Sequence, residues 1–254
     1  MKIASWNVNS LRVRLPQVLE WLEDNQVDVL ALQETKMVDE DFPVEEIQQA
    51  GYEVQYSGQK TYNGVAILSK QEGSDVVKDI KDLDDPQRRI LAATVDDVRV
   101  LNLYVVNGKE VGSDKYEYKL DWLKKVTAFI KQDLKKYPRY VVLGDFNIAP
   151  EDADVHSPEA WRDKILCSDE ERQALATITD LGFVDTFRLF DQEENTFSWW
   201  DYRGGGFRRN QGLRIDLILA SSLLEGACSF SVVDKAPRAN ERPSDHAPVI
   251  AEFM

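Results

Sequence analysis

Cysteine is nearly absent from this chain: 254 residues hold two, Cys167 and Cys228, and neither has a metal-type spacing. That excludes a disulfide framework and a cysteine-based zinc site, leaving two ordinary thiols in a reducing compartment. No apolar run approaches the roughly 20 residues that span a bilayer. Met1 leads directly into the strand-like segment Lys2 to Trp6, without a charged-then-apolar leader. A soluble, cytoplasmic protein with no membrane partner is therefore expected. Gly/Ser linkers, low-complexity tracts and charge blocks are also missing, so residues 1–254 are expected to form one domain. With 43% hydrophobic content, that length buries a core without staples.

Positive charge is the next shortage. Lys and Arg number 31 against 45 Asp and Glu, a net charge of −14. At face value this weighs against nucleic acid as a partner. Distant surface charges are screened over about 8 Å at physiological salt, however, so local density decides. Between Tyr202 and Ile215 there is no acid at all, and Arg203, Arg208, Arg209 and Arg214 are present. Arg88-Arg89 is a second basic pair and Lys60 a third candidate. An acidic protein can hold a basic groove, with binding that is sensitive to salt.

What the chain has in quantity is short apolar runs. Strand patterns occur at 2–6, 27–32, 52–57, 64–69, 89–95, 98–106, 139–143, 214–220, 228–233 and 247–253. Helical periodicity marks about 14–24, with Val18, Leu19 and Leu22 on one face. It also marks about 114–137, with Leu123, Val126, Ile130 and Leu134, and 169–181, with Leu175, Ile178 and Leu181. Pro138 stops the second helix. Near-continuous apolar strands such as 27–32 are buried on both faces. Two face-to-face sheets with helices on their outer sides satisfy that pattern, with the polar motifs gathered in the loops at one end.

Those motifs carry the chemistry. Glu34 ends a buried strand and suits a hard cation, although a loop acid is the default for any Glu. Asn7, an amide at a strand end, can ligate a metal or cap a turn. In Gly144-Asp145-Phe146-Asn147, Gly144 allows close backbone approach, and alternation puts Asp145 and Asn147 on one side. A turn is the rival reading. A free aspartate, with a pKa of ~3.9, is a poor base at neutral pH. Asp145 needs neighbouring acids or a metal to act as one.

His246 follows Asp245, and an acidic neighbourhood favours the imidazolium, which can stabilise charge on an attacked phosphate. His156 has no such company and is expected in solvent, as a phosphate or sugar contact at most. Asp216 lies inside an apolar strand, where an acid is expensive unless paired. A bond to an active-site histidine or asparagine and a structural pair with Arg214 are both open. Tyr104 ends another strand. Phe197 to Arg203 crowds aromatics before the basic stretch, either as core or as a platform for bases and sugars.

Six of these segments stand in a telling order: Trp6-Asn7-Val8-Asn9, Leu32-Gln33-Glu34-Thr35-Lys36, Gly64-Val65-Ala66-Ile67, Gly144-Asp145-Phe146-Asn147, Leu213-Arg214-Ile215-Asp216 and Ser244-Asp245-His246-Ala247-Pro248. Together they resemble the exonuclease III family, magnesium-dependent exodeoxyribonucleases and apurinic/apyrimidinic endonucleases of the endonuclease/exonuclease/phosphatase fold. The resemblance runs over the whole chain. It implies a four-layered α/β sandwich of two packed, mainly antiparallel mixed sheets flanked by helices. It implies Mg²⁺, with Mn²⁺ as a substitute, at Glu34, with Asn7, Asp245, Asp145 and Asn147 near the ion.

By the same resemblance, Asp145 would activate water and Asn147 orient water or phosphate. Tyr104 would contact the phosphate or support the leaving oxygen, and His246, supported by Asp216, would polarise the phosphate. Trp199, Leu213 and Ile215 would form the slot for a flipped-out abasic sugar. Tyr202, Arg203, Arg208, Arg88 and Arg89 would face DNA. The expected partner is double-stranded DNA, abasic or 3′-blocked, bound by a monomer that joins the nucleoid when on DNA. Rivals are a same-fold enzyme acting on RNA or a small phosphoester, and an inactive DNA-binding relative. The segment Pro150 to Trp161, with His156 and Ser157, departs from the family's DNA-gripping pattern.

Overall fold

The computed structural model describes every residue from Met1 to Met254 except Asp82. The strands are β1 (Lys2–Asn7), β2 (Val29–Gln33), β3 (Glu53–Ser57), β4 (Val65–Ser69), β5 (Ser74–Val77), β6 (Ile90–Val95), β7 (Val98–Tyr104), β8 (Tyr140–Asp145), β9 (Phe183–Asp185), β10 (Trp199–Trp200), β11 (Gly212–Leu213), β12 (Asp216–Ser221), β13 (Cys228–Val233) and β14 (Val249–Phe253). The helices are α1 (Leu11–Asn25), α2 (Val44–Gln49), α3 (Asp114–Asp133), α4 (Pro158–Trp161), α5 (Asp169–Thr179) and α6 (Ser222–Glu225).

Two six-stranded sheets form, in the orders β13-β14-β1-β2-β4-β3 and β5-β6-β7-β8-β12-β9, with β10-β11 as a separate hairpin. Each large sheet has one parallel pair at its centre, β1 with β2 and β7 with β8, and antiparallel neighbours outside it. A parallel pair needs a crossover, and α1 and α3 supply the two.

Side-chain alternation then sorts the residues into layers. Ile3, Val29, Ala31, Val65 and Ile67 of the first sheet meet Val100, Val141, Leu143 and Ile218 of the second. Their strand neighbours Ala4, Leu30, Leu32, Ala66 and Leu68 turn outward onto Val18, Trp21, Leu22 and Ile47 of α1 and α2. On the other side, Leu101, Leu103, Val142 and Leu219 meet Trp122, Leu123, Val126, Ile130, Leu175 and Ile178 of α3 and α5. The result is the expected four-layered sandwich. Among the described residues, no helix is long and apolar enough to cross a membrane.

Element ends differ from the sequence reading. Helix α3 stops at Asp133 rather than 137, and its end closes in turns from Lys136 and Tyr137 N–H to the Asp133 carbonyl. Tyr137 precedes Pro138, whose ring disfavours helical backbone there. Helix α5 starts at Asp169 as expected, because Ser168 and Glu171 make a reciprocal capping box. The edge strands β5 and β9 and the hairpin β10–β11 are too short to show alternation and were not anticipated.

The inward parity continues to one end of the sandwich, where it turns polar. Along β1 the inner positions run Ile3, Ser5, Asn7; along β7, Val100, Asn102, Tyr104; along β8, Val141, Leu143, Asp145. A layer of amides caps the apolar core. The Gln33 amide donates to Ser5 Oγ at 3.0 Å and Asn102 Oδ1 at 2.8 Å, and the Asn102 amide donates to the Leu32 and Ala66 carbonyls, each at 2.9 Å. The next positions outward are the candidate site.

Candidate active site

Strand register assembles the acids. Tyr104 lies across from Asp145 in the β7–β8 ladder, and Asp216 across from Asp145 in β8–β12. Gly144 makes this approach possible: its φ is +138°, and a Cβ there would lie 1.9 Å from the Leu103 carbonyl oxygen. From the first sheet come Asn7, at the end of β1, and Glu34, just past β2 at a left-handed φ of +53°. The Asn7 amide donates to both Glu34 Oε1, at 2.9 Å, and Asp145 Oδ2, at 2.8 Å. Its own carbonyl oxygen is taken by the Asn9 N–H at 3.0 Å. Asn7 therefore bridges the two carboxylates across the sheets through its amide nitrogen.

Glu34, Asp145 and His246 each offer an atom within 4.8 Å of the others, a possible acidic metal site. The donor chemistry suits a hard cation at the two carboxylates, since Mg²⁺ takes one or two carboxylates plus water and phosphate oxygens. A positive charge already rests there, because the Lys36 ammonium lies 2.9 Å from Glu34 Oε2. Asp245 stands apart from this trio. Its oxygens accept from Asn9 Nδ2 at 2.9 Å and Trp199 Nε1 at 3.0 Å.

The imidazole belongs to a different partnership. His246 Nδ1 lies 2.9 Å from Asp216 Oδ2, while Nε2 faces Asp145 Oδ2 at 3.7 Å. Asp216 is steadied by the Ser198 hydroxyl at 2.6 Å. The open question about Asp216 is thus answered by geometry: it pairs with histidine, not with Arg214. Burial opposes the charge on His246, but Asp216 and Asp145 outweigh it and raise its pKa to about 10. The ring is therefore imidazolium at neutral pH. Burial also raises Asp145 to about 7; His246 and the Asn7 bond pull it down, while Asp216 and Glu34 push it up. Burial, then the charges of Glu34 and Asp145, holds the Tyr104 phenol well above 10, so it stays a donor.

Asn147 sits beside the acids at a left-handed φ of +48°. Its N–H donates to Asp145 Oδ1 at 2.9 Å and its amide to the Val105 carbonyl at 3.0 Å. Its side-chain oxygen accepts from Asn107 at 3.1 Å.

The expected DNA-facing residues divide. Arg208 is exposed and, among the described residues, makes no ion pair. Arg203 is 91% exposed, yet its guanidinium lies on Asp201 through contacts of 2.7 to 3.1 Å. Arg214 is buried on Asp154 and Asp185, so it cannot join a basic surface. Arg88 pairs with Asp79, whereas Arg89 stacks on the Tyr104 ring, 4.5 Å from its centroid, and reaches the Tyr104 carbonyl.

Tyr202 is half-exposed and donates to the Pro243 carbonyl. Trp199 is half-buried, but Leu213 and Ile215 are fully buried in a cluster with Ala149, Val155, Leu166 and Cys167. His156, expected in solvent, is half-buried. Its Nδ1 lies 3.1 Å from the Gly212 carbonyl and its ring meets Trp161 edge-on, because Val155 bridges to Leu213.

Several neighbours carry no assigned role in the sequence reading: Asn9, Lys36, Asn107 and Ser198, all bonded to the residues above. Tyr62 is another. It is 67% exposed on a loop whose Asn63 carbonyl binds the Lys36 N–H, at the rim beside Glu34. Its signal was the turn Thr61-Tyr62-Asn63-Gly64, an aromatic just before an Asn-Gly pair between two strands.

Comparison with known proteins agrees with the fold. The profile of the Endonuclease/Exonuclease/phosphatase family matches residues 4–246, and the chain belongs to that family. It is 37% identical to exodeoxyribonuclease III of Haemophilus influenzae, with 100% of each chain covered. Among solved structures, it resembles the 3′ phosphatase NExo from Neisseria bound to product DNA hairpin, with a TM-score of 0.98 and 50% identity, covering 100% of this chain and 99% of that one. It also resembles an AP endonuclease from Archaeoglobus fulgidus, with a TM-score of 0.96 and 38% identity over 100% and 99% of the two chains.

Proposed function

We propose that the chain is a DNA-repair nuclease, a hydrolase that uses Mg²⁺ to cleave phosphoester bonds at 3′ ends and abasic sites of double-stranded DNA. One observation carries the reading. A buried carboxylate, Asp145, is held at about 7 between a carboxylate that can share a cation, Glu34, and an imidazolium fixed by Asp216. A general base works best with a pKa near the operating pH. A divalent cation, when bound, would neutralise charge developing on the phosphate oxygens.

The chain's own groups divide the remaining work. Asp145 takes the proton from the attacking water. His246 and Tyr104 donate to the non-bridging phosphate oxygens. Asn7 holds Glu34 and Asp145 at a fixed separation, while Asn147 and Asn107 form an amide pair on the flank of the phosphate. In-line attack leaves a 3′-hydroxyl and a 5′-phosphate when the bond is a diester. Exposed Arg208, with Tyr62 and Arg89 at the rim, supplies the DNA contacts. We read residues 1–254 as one catalytic unit, supported by the pairing of β1 with β14 across the chain, and propose that it acts as a monomer.

The test is a side-by-side assay of abasic-site, blunt and 3′-phosphate duplexes, with Mg²⁺, with Mn²⁺ and with chelator. Mg²⁺-dependent cleavage of at least one of them, abolished in Asp145→Asn and Glu34→Gln, is expected. Equal cleavage in chelator, or cleavage of RNA or small phosphoesters alone, refutes the proposal.

A further inference from the structure

We infer that Lys119 is a positioning residue for this reaction: from beneath the site its ammonium clamps the two loops that follow β7 and β8, and so holds Asn147 in place. The inference rests on the reading of the site given above.

Lys119 lies on α3 and has no accessible side-chain surface; nor has Glu171 of α5, its ion-pair partner. All three ammonium protons are used. One goes to Glu171 Oε1, one to the Asn147 carbonyl at 2.7 Å, and one to the Asn107 carbonyl at 3.2 Å. Glu171 is equally satisfied, since its other oxygen accepts the Ser168 hydroxyl at 2.7 Å and the Ser168 N–H at 3.1 Å. The two clamped carbonyls belong to the same two residues whose side-chain amides meet at 3.1 Å in the site. The Asn107–Asn147 pair is therefore held twice, by its amides on the site side and by one ammonium behind it.

A purely structural ion pair would be a poor choice for this place. Burying both charges costs several kcal/mol of desolvation per ion, and apolar residues of similar volume usually replace such a pair without loss. The surroundings already favour a hydrocarbon, with Trp122 and Leu123 on the same helix in the core. No hydrocarbon can donate to the two carbonyls. Asn147 needs such a donor, because its left-handed backbone turns its carbonyl inward, and a buried carbonyl without a partner is costly. The stem of Lys119 also packs on the Asn107 loop: a Cβ at Gly108, where φ is +90°, would lie 3.1 Å from Lys119 Cδ.

The experiment uses the full-length, Mg²⁺-loaded enzyme on a DNA duplex that the wild type cleaves. Lys119→Met alone strands Glu171, so the informative variant is the double Lys119→Met/Glu171→Gln, which removes both charges and leaves an oxygen to cap Ser168. It should fold, keep KM within about 3-fold, and lose kcat by about 100-fold, the usual consequence of an ångström-scale displacement in a site. Its crystal structure should show the Asn107–Asn147 amide bond broken or Asn147 out of the left-handed region. Wild-type kcat with Asn147 unmoved overturns the inference.

Lys119→Arg serves where the double variant fails to fold. It keeps the charge for Glu171 but replaces the compact ammonium with a planar fork. A fall in kcat at constant KM supports the clamp, and an unchanged kcat overturns it. Should the wild type cleave no DNA, the functional reading is what fails, and the position of Asn147 in the variant crystals still decides the clamp.

Discussion

Replacing Asp145 by Asn should make the metal-free protein more stable while removing its activity, and the gain should depend on pH. The carboxyl is held at about 7, against 3.8 for an ordinary aspartate. A raised carboxyl pKa marks a group that resists ionisation in the fold. Its favourable contribution is complete below the unfolded value and is lost as pH rises through the folded one. About three units, at 1.36 kcal/mol each, amount to a penalty of about 4 kcal/mol above pH 7. Asparagine escapes it but has one carbonyl oxygen for two donors, Asn7 Nδ2 at 2.8 Å and the Asn147 N–H at 2.9 Å. Losing one of these bonds costs about 1–2 kcal/mol. The net gain is about 2 kcal/mol at pH 8, or roughly 4–8 °C in Tm for a chain of this size. Urea melts in chelator at pH 8, 6 and 4.5 measure it. The gain should shrink as pH falls through 7 and vanish by 4.5. A variant no more stable than wild type at pH 8, or a gap that ignores pH, refutes the reasoning.

Two further substitutions probe the surroundings. Asp216→Asn removes a charge 2.9 Å from His246 Nδ1, worth roughly 6 kcal/mol at an effective dielectric of about 20. The imidazole should then titrate near or below its ordinary 6.5 instead of about 10 in the metal-free protein, as followed by NMR with His156 as the second signal; titration still above 9 contradicts the assignment. Because the raised histidine pKa stabilises the fold below 6.5 and loses that effect through about 10, the same change should destabilise the protein at neutral pH. On the DNA side, Arg208→Ala should reduce the slope of log affinity against log salt by about one, whereas Arg203→Ala, already neutralised by Asp201, should barely alter it. Equal effects of the two would place both on the phosphates.

What the sequence disclosed followed from local rules. Alternation and apolar runs located the long strands to within a few residues, and the cost of an acid inside 213–219 pointed to a buried partner for Asp216. Arg214 shows where such reasoning ends. It looked like part of a basic stretch, but its partners Asp154 and Asp185 are 60 and 29 residues away, and only the tertiary fold brings them to it. Asn107 and Lys119 escaped notice for the same reason. Each acts by reaching a loop from a different element, and a lone lysine or asparagine between apolar residues has no periodicity to mark that duty. Leu213 and Ile215, placed by resemblance in the slot for an abasic sugar, are buried in a cluster with Leu166 and Cys167, a packing between distant segments that the sequence does not show.

The division of the site between two sheets makes their separation a catalytic quantity. Asn7 and Glu34 come from one sheet, and Tyr104, Asp145 and Asp216 from the other, so any sliding of the sheets changes the carboxylate spacing that a cation must match. Below this layer, Asn102 makes all of its side-chain bonds across the gap, to Gln33 and to the carbonyls of Leu32 and Ala66. An apolar contact would tolerate a shift of half an ångström, but hydrogen bonds of 2.8–2.9 Å fix the register more narrowly. Asn102→Leu preserves the volume and removes that constraint. It should cost about 2–4 kcal/mol through the stranded polar groups. It should also weaken metal affinity, measured by calorimetry on protein that is fully folded at the assay temperature. Loss of stability with unchanged metal affinity would mean that the apolar core alone sets the distance between Glu34 and Asp145.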